Sequence, residues 1–270
     1  MPANDSLGHV PCFLLDMDGT FYLGEQLLDG ALRFIEVLRQ QGREFLFLTN
    51  NSSKDSQQYA EKITRLGLSI PREKVLTSGE ATAMHLQRQK PGARVYVVGT
   101  SSLEDEFRRR GFSLTLDEPD FAVLRFDTTL TYAQLWNLCD LVRAGVPYIA
   151  THPDLNCPTE NSFMPDIGAT IAFVNASTGR EPDVIVGKPN PLFLEQAATR
   201  VGIPVSEMCM IGDRLYTDIA LGSTAGIPTI LVLSGETHAN DLAGSPYQPS
   251  YTFQHLGAVA DALVDSRKEI

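Results

Sequence analysis

The sequence lacks any pair of cysteines at a spacing that would bind metal or run redox chemistry. Its four cysteines, Cys12, Cys139, Cys157 and Cys209, form no CxxC and no Cys/His group with zinc-ligand spacing. A zinc module and a disulfide framework are therefore not expected. Cys12 and Cys209 stand in apolar runs, where cysteine acts as a small hydrophobe. Long hydrophobic runs are missing as well. No run approaches the roughly 20 apolar residues of a membrane span. The opening MPANDSLGHV has neither the basic nor the apolar segment of a signal peptide, so a cytoplasmic chain is expected. Positive charge is in short supply: 22 Lys and Arg face 33 Asp and Glu, a net charge of −11. That balance argues against nucleic acid or a membrane surface as partner, since both are polyanions. It leaves room for a small anionic substrate. Short repeats and low-complexity tracts are lacking too. What remains is globular in composition, 43% hydrophobic and 20% charged. A chain of 270 residues can bury a core without disulfides or structural metal, as one large domain or two modest ones.

Short continuous apolar runs alternate with helical patterns. Cys12-Phe13-Leu14-Leu15 has no period-two alternation, which suits a strand buried on both faces. Ala31, Phe34, Ile35 and Leu38 then share one helical face, and Gly42 follows as a C-cap would. Phe45-Leu46-Phe47-Leu48 is a second buried strand. Helix is expected over 56–66 before Gly67, 103–110 before Gly111, 132–143 before Gly145, 191–200 and 218–225. Strand is expected over 95–98, 122–124, 148–150, 184–186, 208–211 and 230–232, with a loop over 244–250. Repeated β-then-α units predict parallel sheets with right-handed crossovers.

Polar clusters stand at several of the strand ends. Asp16 ends the first strand, with Asp18 and Gly19 close behind. Two carboxylates so near each other call for a cation or a proton between them. Hard oxygen ligands suit Mg²⁺, and a strand-end carboxylate can also act as a nucleophile. The same residues alone would also fit an acidic turn. Thr49, Asn50, Asn51, Ser52, Ser53 and Lys54 follow the second strand. They offer donors for phosphate oxygens, or a helix N-cap. Lys188 lies between a buried strand and a proline-started helix. It could neutralise phosphate, or be a loop lysine. Asp213 and Asp218 could complete a metal site, or cap a helix and complement its dipole. Open α/β sheets bind ligands outside the C-terminal ends of their strands, so Asp16, Thr49 and Asp213 could share one site.

In this order, DMDGT, the strand-end Thr49, Lys188 and GDRLYTD resemble the haloacid-dehalogenase-like superfamily of phosphohydrolases. The strings TNNSS, THPDLNCPT, IVGKPNP and GDRLYTDI resemble its NagD-type, p-nitrophenylphosphatase-like branch. The resemblance implies an α/β fold: a Rossmann-like parallel-sheet core over residues 1–78 and 183–270, with an inserted α/β cap domain of C2 type over 79–182. It implies a Mg²⁺-dependent phosphatase acting on small-metabolite phosphate monoesters through an aspartyl-phosphate on Asp16. A phosphotransferase or phosphomutase using the same intermediate is the alternative.

Carried over residue by residue, Asp16 is the nucleophile and a metal ligand. Asp18 is the acid/base and binds metal through its carbonyl. Thr49, Asn50, Asn51 and Lys188 bind phosphate, and Asp213 and Asp218 complete the metal site. An acid two residues from the nucleophile suits an alkoxide leaving group, which needs a proton, better than a halide. His152 and Asp154 stand where family members place specificity residues. Arg125 departs from the GYD-like string of relatives, to meet a second anionic group or to decorate the cap surface. Lys54 stands where arginine is frequent. The partner implied is a small phosphorylated metabolite, not nucleic acid or membrane, with a homodimer as the assembly.

Overall fold

The computed structural model describes residues 7–51, 53–158 and 162–265. The chain divides into two compact units. The first runs through Leu48, then takes Tyr59–Leu76 and the chain from Ala197 onward; the second comprises Thr49–Gln58 and Thr77–Gln196.

The first unit is built on a six-stranded sheet in the order Tyr251–Phe253, Thr229–Val232, Met208–Gly212, Cys12–Leu15, Glu44–Thr49, Val75–Thr77. Cys12–Leu15 pairs in parallel with both neighbours, Leu15 lying opposite Ile211 on one side and Phe47 on the other. All four of its residues are fully buried, as its unbroken apolar run requires. Each buried leucine or phenylalanine there contributes roughly 1.5–3 kcal/mol. From this strand the chain first moves outward through Glu44–Thr49 to Val75–Thr77. It later returns to the other side at Met208–Gly212 and moves outward again. The reversal makes the C-terminal ends of Cys12–Leu15 and Met208–Gly212 the crevice where such sheets bind ligands. The helix Ala31–Gln40 buries Ala31, Phe34, Ile35, Val37 and Leu38, the face its spacing predicts. Phe13 meets Phe34 edge to face, ring centroids 5.8 Å apart.

The second unit holds a five-stranded sheet in the order Val184–Ile185, Tyr148–Ala150, Phe121–Leu124, Arg94–Val98, Ser113–Leu114, with every pairing parallel. Helices Ser78–Gln89, Ser101–Arg109, Tyr132–Arg143 and Ile167–Thr178 belong to it. Leu124, Leu138, Tyr148, Ile167 and Val174 lie in its core. Thr131 and Gln134 form a reciprocal capping box at the start of Tyr132–Arg143. A short antiparallel pair joins Asn156–Pro158 to Phe163–Pro165.

The expected α/β architecture with parallel sheets is therefore present. Gly42, Gly67, Gly111 and Gly145 all take positive φ after their helices. Differences are local. The helix expected over 218–225 begins with a π turn, Leu215–Ile219, before Ala220–Ala225. Ile167–Thr178 escapes the periodicity test because its exposed side also carries apolar residues, Phe173 being 43% exposed. Val75–Thr77 offers only two apolar residues, Val75 and Leu76, between Lys74 and Thr77, so it leaves no apolar run to read. No helix among the described residues is long and apolar enough to cross a membrane.

All four cysteines are free thiols, and Cys12, Cys139 and Cys209 are buried. Burial, with Glu44 nearby, pushes the Cys12 thiol up to about 12. Burial pushes Cys209 up as well. The thiolate is the reactive form, so alkylation of native protein at pH 8 is expected at half-buried Cys157, with Cys12 and Cys209 labelled only after denaturation. Peptide mass mapping reads this out; a label on native Cys12 would contradict the packing.

Candidate active site

In the first unit, Asp16 follows the central strand and Asp213 follows its neighbour Met208–Gly212. Asp218 arrives through the π turn. The wider π turn sets a residue five positions on near the helix entrance. Asp218 accepts from the Arg214 N–H at 3.1 Å. Asp16, Asp213 and Asp218 are all buried, and each offers a carboxylate oxygen within 4.8 Å of the others. Asp18 is half-buried and stands outside that trio. Its Oδ2 accepts from the Tyr22 hydroxyl at 3.4 Å. Burial, then the Asp18 charge, raise the Tyr22 phenol's pKa, which keeps it a donor. The Lys62 ammonium lies 3.8 Å from the Tyr22 ring centroid.

The surroundings are shaped to the carboxylates. A Cβ on Gly19 would fall 2.3 Å from Asp213 Oδ2, and Gly19 has φ of 85°, doubly favouring glycine. A Cβ on Gly235 would fall 2.0 Å from the same oxygen. Asp213 Oδ2 also accepts from the Glu236 N–H at 2.8 Å, and Oδ1 from the Thr20 hydroxyl at 3.3 Å. Ser234 Oγ donates to the Gly19 carbonyl at 2.9 Å. Burial lowers the Arg214 pKa, but Asp16, Glu236 and Asp213 outweigh it and hold the guanidinium above its ordinary value. Its Nε stands 2.9 Å from Glu236 Oε2. Three buried carboxylates with converging oxygens are a hard donor set, and they fit a divalent cation such as Mg²⁺. Sequence reasoning passed over Thr20, Arg214 and Ser234-Gly235-Glu236. The last three carried a readable signal, a polar cluster that follows the apolar run formed by the strand Thr229–Val232 and Leu233.

The second unit holds the remaining expected residues. Thr49, the last residue of Glu44–Thr49, accepts from the Asn51 N–H at 3.0 Å. Asn51 Oδ1 in turn accepts from the Ser53 N–H and hydroxyl at 3.0 and 2.7 Å. Ser52 lies outside the described residues. Asn50 and Lys188 are buried and joined through Lys188's main chain. Asp154 accepts from Asn50 Nδ2 at 3.2 Å. His152 is fully buried. Its Nε2 is 3.0 Å from Asp166 Oδ1, and its Nδ1 is 3.0 Å from the Thr151 hydroxyl. Arg125 is 2% exposed, so it does not decorate a surface. Its guanidinium donates to the Lys54 carbonyl at 3.3 Å and the Thr100 hydroxyl at 3.4 Å.

The family model of haloacid dehalogenase-like hydrolases matches residues 13–113, and that of HAD-hydrolase-like proteins matches residues 185–259. The chain is 38% identical over 251 residues to an acid sugar phosphatase of Staphylococcus aureus, covering 92% of this chain and 96% of the relative. It is 34% identical over 244 residues to the 5'-nucleotidase YutF of Bacillus subtilis, covering 90% and 95%. Among solved structures, a 4-nitrophenylphosphatase from Thermotoga maritima matches with a TM-score of 0.92 at 46% identity, over 95% of this chain and 98% of that one. A glycerol phosphate phosphatase from Mycobacterium tuberculosis, in complex with magnesium, matches with a TM-score of 0.85 at 32% identity, over 96% and 78%. The chain belongs to the haloacid dehalogenase-like hydrolases and is a phosphatase of their NagD-like branch.

Proposed function

We propose that this phosphatase hydrolyses phosphate monoesters of small metabolites through an aspartyl-phosphate on Asp16, with Mg²⁺ as its metal. The observation that carries the proposal is the buried Asp16, Asp213 and Asp218 trio with its converging oxygens. Asp16, Asp213 and Asp218, with the Asp18 carbonyl, would hold the ion. When bound, Mg²⁺ supplies charge neutralisation to the carboxylates and the phosphoryl oxygens. Relatives named for sugar phosphate, nucleotide and nitrophenyl phosphate substrates support a small-ester class.

The chain's own residues divide the chemistry. An Asp16 oxygen bonds to phosphorus as the ester P–O bond breaks, and Asp18 gives its proton to the departing alkoxide. Asp18, now a carboxylate, takes a proton from water. That water's oxygen bonds to phosphorus, the bond to Asp16 breaks, and inorganic phosphate leaves. The Thr49 hydroxyl and the Lys188 ammonium hold phosphoryl oxygens, with Asn50 and Asn51 completing the loop. His152 and Asp154 bear on substrate choice.

Purified protein with Mg²⁺ is expected to release phosphate from p-nitrophenyl phosphate. It should also act on at least one of a sugar phosphate, a nucleoside monophosphate or phosphoglycolate. Silence across that panel would end the proposal, and transfer to a second hydroxyl without phosphate release would redirect it to phosphotransfer. Gly235→Ala tests the metal cradle separately. Its Cβ would overlap Asp213 Oδ2, so the Mg²⁺ needed for half-maximal activity should rise roughly 10- to 100-fold, the usual cost of disturbing a ligand's support. An unchanged Mg²⁺ requirement would remove Asp213 from the ligand set.

A further inference from the structure

Asn50 turns both ends of its carboxamide to one neighbour's backbone. Oδ1 accepts from the Lys188 N–H at 2.8 Å, and Nδ2 donates to the Lys188 carbonyl at 2.9 Å. Both main-chain polar groups of Lys188 are thus held by one side chain 138 residues away in sequence. The second Nδ2 hydrogen faces the Asp154 carboxylate, at 3.2 and 3.3 Å from its two oxygens. This pattern also assigns the amide orientation, because a flipped carboxamide would set oxygen against the Lys188 carbonyl and the Asp154 carboxylate. Asn50's own carbonyl accepts from the Ser78 hydroxyl at 2.7 Å. The approach is close enough that a Cβ on Gly187 would fall 2.6 Å from Asn50 Oδ1 and 2.6 Å from the Thr151 carbonyl. Asn50 and Lys188 are 5% and 3% exposed.

We propose that the Asn50 side chain is a positioning residue, which sets the root of Lys188 and through it the ammonium, rather than a direct phosphate contact. The inference rests on the reading of Lys188 as a phosphate ligand. Lysine is a point charge on a flexible four-carbon stem, so its aim depends on how firmly its main chain is held. Asparagine fits because the bond pair needs one acceptor and one donor at the two ends of a short planar fork, with a further donor for Asp154. Leucine has the shape without either function. Aspartate would keep the acceptor but lose the donor and set a second carboxylate beside Asp154.

A double-mutant cycle tests this, reading kcat/KM for p-nitrophenyl phosphate at saturating Mg²⁺. Asn50→Leu alone is expected to cost roughly 10- to 100-fold, the usual effect of misplacing a catalytic group by about an ångström. Lys188→Met alone should cost at least as much, and the double variant should match Lys188→Met within about twofold. A purely structural defect lowers the active fraction equally in both backgrounds, so its factor would multiply. A direct contact with substrate would multiply too. Multiplying factors, or a wild-type rate for Asn50→Leu, would overturn the inference. A wild-type rate for Lys188→Met would instead fail the underlying reading, and the inference with it. If Asn50→Leu does not fold, Gly187→Ala, whose Cβ would press on Asn50 Oδ1, replaces it in the same cycle with the same criteria.

Discussion

Asp16→Asn is expected to lower turnover of p-nitrophenyl phosphate by roughly four to six orders of magnitude, the scale on which losing a nucleophile acts. The substitution is isosteric, and the amide oxygen cannot take the phosphoryl group as a carboxylate does. The fold should be indifferent to it. The Asp16 N–H bond to the Ile211 carbonyl, 2.9 Å, is a main-chain bond and stays. In metal-free solution the change relieves like-charge repulsion with Asp213 and Asp218, and it also removes the Asp16 charge that attracts the Arg214 guanidinium. The two changes oppose each other, so the melting temperature without metal should stay close to that of the wild type while activity vanishes. A variant retaining a tenth of wild-type turnover would show that Asp16 is not the nucleophile.

Removing the metal should produce the second large effect. Chelation is expected to abolish turnover and to lower the melting temperature, because a ligand bound to the native state alone stabilises it by mass action. That contribution is about 2.7 kcal/mol at one hundred times the dissociation constant, or several degrees for a chain of this size. Asp213→Asn should lose most of the Mg²⁺-induced rise. Asp213 is 1% exposed and its two oxygens accept from the Glu236 N–H and the Thr20 hydroxyl, so it is fixed in place before any ion arrives. Thermal shift with and without Mg²⁺, on both proteins, separates a structural from a metal-binding role. Equal Mg²⁺ shifts in the two, or full activity under chelation, would contradict the assignment.

Legibility in the sequence followed range. Cys12–Leu15 and Tyr148–Ala150 read as strands because burial on both faces leaves an unbroken apolar run. Tyr132–Arg143 read as a helix, and its Thr131 cap and following Gly145 are local signals of the same kind. Ile167–Thr178 did not, since a helix apolar on its exposed side as well has no contrast for a periodicity to report. Asp16 and Asp213 could be placed at strand ends from sequence, and Ser234-Gly235-Glu236 announces itself by the same rule. Arg125 could be read as surface or site, and its burial against Lys54 and Thr100 depends on strands and loops far from it in sequence.

By itself, then, the sequence determined the alternation of buried strands and glycine-closed helices, and the placing of polar clusters where strands end. Apolar runs, caps and turn residues act over a few positions, so their physics is complete within a short stretch. Tertiary structure alone decided which strands lie side by side. The Asp213 carboxylate accepts from Thr20, 193 residues earlier, because Met208–Gly212 pairs with Cys12–Leu15. Val184–Ile185 pairs with Tyr148–Ala150 in the second unit's sheet, and Asn50 turns its amide to Lys188. Such pairings are chosen by the burial of whole faces and the satisfaction of buried polar groups, quantities that exist only once distant segments have met.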